Sequence, residues 1–156
     1  MKKFTLCLTH QCNLRCTYCY VDKRAGRMPI GVAEKIVDFI FDHATDEENI
    51  DIGFFGGEPL LEFKLLKKIV EMIERHRKFD RQRVSLSTVT NGTLFSNEIA
   101  DYFAEHDIVL CFSCDGPPEV QDQFRHYRNG CGSSTSVLEA ISKALARLPL
   151  VMVNSV

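Results

Sequence analysis

Three features that would each indicate a function class are missing from this sequence. It contains no stretch of about 18 apolar residues, so no segment is predicted to cross a membrane. Lysine and arginine number 19 against 21 acidic residues, and a net charge of −2 does not favour a nucleic-acid partner. Polar residues and cysteines follow the two N-terminal lysines before the apolar core of a signal peptide could form. We therefore expect a cytoplasmic protein without nucleic-acid or membrane partners.

Cysteine, in contrast, is abundant, with seven in 156 residues. In a reducing compartment cysteines more often bind metals or pack in the core than form disulfides, and an odd number cannot pair completely. Cys12, Cys16 and Cys19 lie together in the stretch CNLRCTYC. The other four cysteines are scattered, and we predict a ligand role for none of them: Cys7, Cys111, Cys114 and Cys131.

Two alternating apolar periodicities predict an α/β fold. Patterns typical of strands occur at 4–9, 50–55, 84–90, 108–113 and 150–156. Apolar residues at helical spacing lie between them, at 36–41, 65–73, 99–103 and 137–148. Such alternation predicts a parallel sheet made of about four βα units plus a fifth strand. Since a complete eight-fold barrel needs about 250 residues, we expect residues 1–156 to be the N-terminal part of a longer, TIM-like barrel.

The unusual residues of the chain follow directly after its predicted strands. The cysteine loop (10–20) follows the first strand, GGEP (56–59) the second, TNGT (90–93) the third and SCDGPP (113–118) the fourth. Because the carboxyl ends of parallel strands meet at one edge of a sheet, these segments are expected to form one composite site. Glycine, asparagine, aspartate and proline are also ordinary turn residues, and TNGT alone is equally consistent with a turn.

The cysteine spacing leaves several metal sites open. Structural zinc needs four tetrahedral ligands, and His10 is a candidate for the fourth. The spacing C-x3-C-x2-C differs from the ferredoxin run, and three thiolates on a four-iron cluster leave one iron without a protein ligand. In GGEP the two glycines allow a close backbone approach, and Glu58 at the rim is suited to bind an ammonium group.

These motifs resemble the radical S-adenosylmethionine (radical SAM) superfamily. The segments FFGGEPLLEF, TNGTLF and SCDGPPEVQDQFR are similar to its peptide- and protein-modifying branch, which includes anaerobic sulfatase-maturating enzymes and SPASM-type peptide maturases. The resemblance implies a truncated (β/α)6 core that binds a [4Fe–4S] cluster and S-adenosyl-L-methionine. The implied cluster ligands are Cys12, Cys16 and Cys19. The implied cofactor-binding residues are Tyr18, Gly56, Gly57, Glu58, Ser113 and Arg125.

The resemblance also assigns roles to these residues. Gly56, Gly57 and Glu58 would hold the methionyl ammonium group, and Tyr18 would lie near the adenine. Ser113 would contact the cofactor. The forked guanidinium of Arg125 would bind its carboxylate, with Arg128 as an alternative. Asn91 is a further candidate for shaping the site.

The implied activity is that of an oxidoreductase which cleaves S-adenosylmethionine reductively to a 5′-deoxyadenosyl radical. The implied partners are a peptide or protein substrate and an electron donor such as flavodoxin or ferredoxin. Two other interpretations stay open from the sequence, namely a non-catalytic iron–sulfur module or partner-dependent fragment, and a zinc-stabilised structural domain. The implied core has later strands that these 156 residues do not include, so we expect the chain to carry the cluster site without completing a reaction on its own.

Overall fold

Five parallel strands form a single sheet in the computed structural model, which describes residues 1–45 and 47–156. The strands are β1 (Lys2–Thr9), β2 (Ile50–Gly56), β3 (Val84–Thr90), β4 (Ile108–Ser113) and β5 (Val151–Asn154). They lie in the order β1-β2-β3-β4-β5, and each neighbouring pair is parallel. The predicted α/β fold with a parallel sheet is confirmed, and this sequential order is also that of strands in the wall of a TIM-like barrel.

The helices cross over from each strand to the next. They are α1 (Ile30–His43), α2 (Phe63–Arg75), α3 (Asn97–Glu105), α4 (Pro118–Phe124) and α5 (Ser134–Leu145), and a short 3₁₀ helix (Pro59–Glu62) precedes α2. The four predicted helices correspond to α1, α2, α3 and α5. Helix α4 was not predicted, and it lies beside the site described below. No helix in the described part of the chain is long and apolar enough to cross a bilayer.

The hydrophobic core lies between the helices and one face of the sheet. In β2, Ile50, Ile52 and Phe54 are buried and alternate with partly exposed residues, as the two-residue period of a strand requires. Helix α2 packs against this face with five buried apolar residues: Leu65, Leu66, Ile69, Val70 and Ile73. On the other face of the sheet, the half-buried Phe55 of β2 and Val89 of β3 line a cavity.

Candidate functional site

A cavity of about 420 Å³ lies at the carboxyl ends of the strands. It collects the nine residues that the resemblance implies as cluster ligands or cofactor-binding residues: Cys12, Cys16, Tyr18, Cys19, Gly56, Gly57, Glu58, Ser113 and Arg125. Thr90 and Asn91 from the end of β3 also line it. The structure thus brings the predicted residues together, while their individual roles stay predictions.

The cysteine loop follows β1 and is held by backbone hydrogen bonds to a segment that is distant in sequence. The amides of Arg15 and Thr17 donate to the carbonyl oxygens of His126 (2.8 Å) and Phe124 (3.0 Å). Cys12 is buried, whereas Cys16 and Cys19 are half-buried. The loop therefore presents one enclosed thiol and two more accessible ones.

Burial raises the pKa of the Cys12 and Cys16 thiols above the usual range. For Cys16 the nearby cations of Arg125 and Lys23 partly oppose this effect. A thiol in such a place becomes a thiolate when a metal group supplies compensating positive charge, since coordination deprotonates a thiol outright. In the described residues, no three His, Cys, Asp or Glu side chains are grouped around the position of a single metal ion.

The glycine pair of GGEP lies directly against the backbone of the cysteine loop. A Cβ atom at Gly56, where φ is +153°, would collide with the carbonyl oxygen of Thr9, and one at Gly57 with that of Gln11. The amide of Gly57 donates to the Thr9 carbonyl oxygen at 2.8 Å, and the amide of Glu58 donates to that of Gln11 at 2.8 Å. No side chain fits between the two segments, which explains why both positions require glycine.

Glu58 is buried, with 1% of its surface exposed, which corrects the expectation of a carboxylate at the open rim. Its Oε1 accepts hydrogen bonds from the Leu60 amide (3.0 Å) and the Thr90 hydroxyl (2.7 Å), and its Oε2 accepts one from the Asn91 amide (2.8 Å). Burial raises the pKa of Glu58, although these three hydrogen bonds act in the opposite direction. The carboxylate therefore joins the ends of β2 and β3 and also forms part of the cavity wall.

A buried ion pair faces the cysteine loop from the segment after β4. Arg125 donates from Nε to Oδ2 of Asp115 at 2.9 Å, with 10% and 2% of the two side chains exposed. The hydroxyl of Tyr18 donates to the same carboxylate oxygen, and the Tyr18 ring lies 5.2 Å from the guanidinium carbon. Burial alone would raise the pKa of Asp115, but the hydrogen bonds from Arg125 and Tyr18 outweigh it and lower that pKa.

Helix α4 supports this ion pair through a buried polar network. The Asp115 amide donates to Oε1 of Gln121 (2.8 Å), and Nε2 of Gln121 donates to the Ser133 hydroxyl (3.2 Å). That hydroxyl in turn donates to the carbonyl oxygen of Arg125 at 2.5 Å. The network fixes the backbone at both Asp115 and Arg125, so it restricts where the guanidinium can lie.

Asp115 and Gln121 support this site, although neither is assigned a role of its own from the sequence. Asp115 follows β4 as Glu58 follows β2, so the rule that selected Glu58 could also have selected Asp115. For Gln121 no comparable signal exists, because a polar residue in a short helix reads as solvent-exposed from sequence alone.

Several other candidates lie away from this cavity. Arg128 donates to the Cys12 carbonyl oxygen (3.1 Å) and lines a neighbouring cavity with Gln11 and Asn13, so Arg125, and not Arg128, reaches the site. His10 lines another cavity, beside Arg24 and Arg27. The four remaining cysteines are free thiols and do not line the site: Cys7, Cys111, Cys114 and Cys131.

Ser113 ends β4 at the cavity. In the described part of the chain its hydroxyl makes no hydrogen bond, so it can donate to a bound group. The two Nη atoms of Arg125 likewise make no hydrogen bond to the described residues, since only its Nε is bonded, to Asp115. The cavity wall thus combines three thiols, a guanidinium with free donors, a free hydroxyl and a buried carboxylate.

Comparison with known proteins gives a consistent result. The sequence model of the radical SAM superfamily matches residues 6–156. An uncharacterized protein of Methanocaldococcus jannaschii is 34% identical over 142 residues, which cover 90% of this chain and 48% of that protein. A cysteine-type anaerobic sulfatase-maturating enzyme of Clostridium novyi is 32% identical over 141 residues, covering 83% of this chain and 36% of the enzyme.

Among solved structures, native anSMEcpe with bound AdoMet and Cp18Cys peptide superimposes with a TM-score of 0.87. The sequence identity is 26%, and the match covers 97% of this chain and 41% of that one. The chain therefore spans less than half the length of these relatives.

Proposed function

The chain belongs to the radical SAM superfamily, and we propose that its cavity holds a [4Fe–4S] cluster on Cys12, Cys16 and Cys19 next to S-adenosylmethionine. When bound, these cofactors supply one-electron reductive cleavage of the sulfonium, followed by hydrogen abstraction from a substrate. The single observation that carries the proposal is the convergence of all nine predicted residues on one cavity.

The charges of the cavity wall fit the aminoacyl end of the cofactor. A carboxylate has a suitable partner in Arg125, since Asp115 occupies only its Nε and leaves the forked Nη donors for bidentate bonding. An ammonium group has a suitable partner in Glu58, because a carboxylate oxygen accepts about two hydrogen bonds and Oε2 accepts only one from the residues that the structure describes. An ammonium bound there would also offset the burial cost of the Glu58 charge.

Within this proposal Asp115 and Tyr18 position Arg125. The carboxylate of Asp115 fixes the guanidinium at its Nε, and the Tyr18 ring lies against it. Because the Tyr18 hydroxyl is already bonded to Asp115, the predicted contact of Tyr18 with adenine would use its ring or backbone. Ser113, at the end of β4, contributes a hydroxyl to the same cavity.

We further propose that the substrate is a peptide or protein and that the electron comes from a small donor such as flavodoxin or ferredoxin. The similarity to sulfatase-maturating enzymes, one of them solved with a bound peptide, supports the substrate class. The half-buried apolar residues of the cavity lining, Phe55 and Val89, would exclude water from a reactive centre.

Anaerobic reconstitution of the purified chain with iron and sulfide tests the proposal. We expect about four irons and four sulfides per chain, and a cluster spectrum that changes when S-adenosylmethionine is added. Formation of 5′-deoxyadenosine and methionine under strong reductant would show cleavage. A cluster that is indifferent to S-adenosylmethionine would support a non-catalytic iron–sulfur module, and one zinc without iron would support a structural zinc domain. Either result contradicts the proposal.

A pair of cysteine variants tests the ligand assignment. Cys16→Ala should abolish assembly of the intact cluster, because it removes a thiolate from the cavity. Cys114→Ala is the matched control, since Cys114 is a buried thiol in the segment after β4 that does not line the cavity. Iron content should fall in the first variant and stay near the wild-type value in the second, and equal loss in both would refute the assignment.

A further inference from the structure

Resting on the proposed function, we propose that Asn91 sets the reduction potential of the cluster by donating a hydrogen bond to the Cys12 ligand. The Nδ2 atom of Asn91 lies 3.7 Å from Sγ of Cys12, within range of a hydrogen bond to sulfur. Asn91 is buried, with 7% of its surface exposed, and lines the cavity.

The orientation of the Asn91 amide follows from its other contacts. Its Oδ1 accepts hydrogen bonds from the backbone amide of Thr93 (3.0 Å) and from the Thr93 hydroxyl (2.7 Å). A backbone amide can only donate, so the oxygen of the Asn91 side chain must face Thr93. The NH₂ group is then the end directed at Cys12, and its second partner is Oδ1 of Asn13 at 3.0 Å.

The backbone of Asn91 is fixed by the buried glutamate of GGEP. Oε2 of Glu58 accepts from the Asn91 amide, and Oε1 accepts from the hydroxyl of the preceding Thr90. Glu58 itself is joined to the cysteine loop through its amide, which donates to the Gln11 carbonyl oxygen. One carboxylate thus holds the donor, Asn91, in register with the loop that carries the acceptor, Cys12.

This contact makes Cys12 different from the other two proposed ligands. Its sulfur also accepts a hydrogen bond from the Leu14 amide at 3.4 Å, so it has two N–H donors. Among the described residues, no side-chain N–H group donates to Cys16 or Cys19. Hydrogen bonds to cluster thiolates stabilise negative charge, and reduction adds negative charge, so they raise the reduction potential. Asn91 therefore makes the cluster easier to reduce.

The test is a redox titration of the reconstituted full chain, followed by electron paramagnetic resonance without S-adenosylmethionine. Asn91→Leu removes the donor at nearly constant volume, and Asn91→Asp replaces it with an acceptor. At the wild-type midpoint we expect the ratio of reduced to oxidised cluster to fall about tenfold in Asn91→Leu, which equals ~59 mV for one electron. Asn91→Asp should shift the midpoint further in the same direction.

Thr93→Val serves as the matched control. It removes the Thr93 hydroxyl, one of the two donors to Oδ1 of Asn91, but keeps the Thr93 backbone N–H and the contact between Asn91 and the Cys12 sulfur. At the wild-type midpoint, the ratio of reduced to oxidised cluster in this variant should change by less than about twofold. Unchanged midpoints in both Asn91 variants, at full iron content, would overturn the proposal, as would an equal shift in Thr93→Val.

Two further outcomes are also decisive. If neither Asn91 variant assembles a cluster, hyperfine spectroscopy of the wild type with ¹⁵N-amide-labelled asparagine decides the question, and the lack of a ¹⁵N coupling overturns the proposal. If the wild type itself assembles no four-iron cluster, the proposed function fails and this inference fails with it. If the wild-type cluster assembles but the midpoint potentials of the Asn91 variants equal that of the wild type, only the role of Asn91 is refuted and the proposed function stands.

Discussion

Replacing Asp115 with asparagine tests how strongly the buried ion pair stabilises the site. The change removes the negative charge at almost constant volume and leaves the Arg125 guanidinium buried without its counter-ion. The side chain of Arg125 is only 10% exposed and that of Asp115 only 2%, and Nε of Arg125 lies 2.9 Å from Oδ2 of Asp115. Asp101 and Arg147 form the matched surface pair, at 3.1 Å but with 70% and 33% of the side chains exposed.

The two pairs have similar geometry but different exposure, so their expected contributions differ. Removing one partner of a buried ion pair costs about 3–5 kcal/mol, because the remaining charge is desolvated and uncompensated. Arg125 still borders the cavity, where water can reach its Nη atoms, so we expect the lower limit of about 3 kcal/mol for Asp115→Asn. Asp101→Asn should cost less than about 1 kcal/mol, because solvent screens an exposed pair.

Urea denaturation of the cofactor-free chain under reducing conditions, followed by circular dichroism, measures both free energies of unfolding. For a chain of this length, a loss of about 3 kcal/mol also lowers the melting temperature by roughly 6–12 °C. If Asp115→Asn costs no more unfolding free energy than Asp101→Asn, the Asp115 carboxylate does not stabilise the buried guanidinium of Arg125.

Two further predictions concern the same site. Gly57→Ala should cost about 3 kcal/mol of unfolding free energy, because the added Cβ would collide with the Gln11 carbonyl oxygen. Gly31→Ala in α1 is the control, since its Cβ would enter open space, and it should stabilise the chain by about 0.5 kcal/mol. Equal effects of the two variants in urea denaturation would contradict this. The hydrogen bonds that hold the pKa of Asp115 below its ordinary 3.8 also predict a pH dependence. A carboxyl group whose pKa is lowered on folding stabilises the fold at pH values above its unfolded-state pKa, and this stabilisation is lost as the pH falls through its folded-state pKa. The difference in unfolding free energy between wild type and Asp115→Asn should therefore stay constant down to about pH 5 and narrow below about pH 4. A gap that widens in acid would contradict the assigned charge state.

The elements of this fold could be predicted where the local pattern is strong. The strands contain apolar residues in continuous or alternating runs, and α2 has a complete apolar stripe, so both types were identified nearly to their ends. Helix α4 was missed because its seven residues, PEVQDQF, contain only Val120 and Phe124 as large apolar side chains. Two apolar residues one turn apart do not distinguish a short helix from a loop.

The site was predictable in its position but not in its contacts. The βα alternation predicts parallel strands, and parallel strands place the residues that follow them at a common edge of the sheet. The burial of Glu58 could not be predicted, because it depends on hydrogen bonds from Thr90 and Asn91, more than thirty residues away. Likewise, the contact between Asn91 and Cys12 depends on the mutual register of β1 and β3, which lie on either side of β2 in the sheet.

The close packing of GGEP against the cysteine loop has a consequence for the entropy of assembly. Fixing the backbone of a flexible residue costs about 1–2 kcal/mol, so a disordered loop would oppose metal uptake by several times that amount. Here the Gly57 and Glu58 amides already restrain Thr9 and Gln11 at the start of the loop, and the amides of Arg15 and Thr17 restrain its middle. Folding of the sheet therefore meets the ordering cost before any iron arrives, and the incoming cluster encounters thiols whose positions are already restricted.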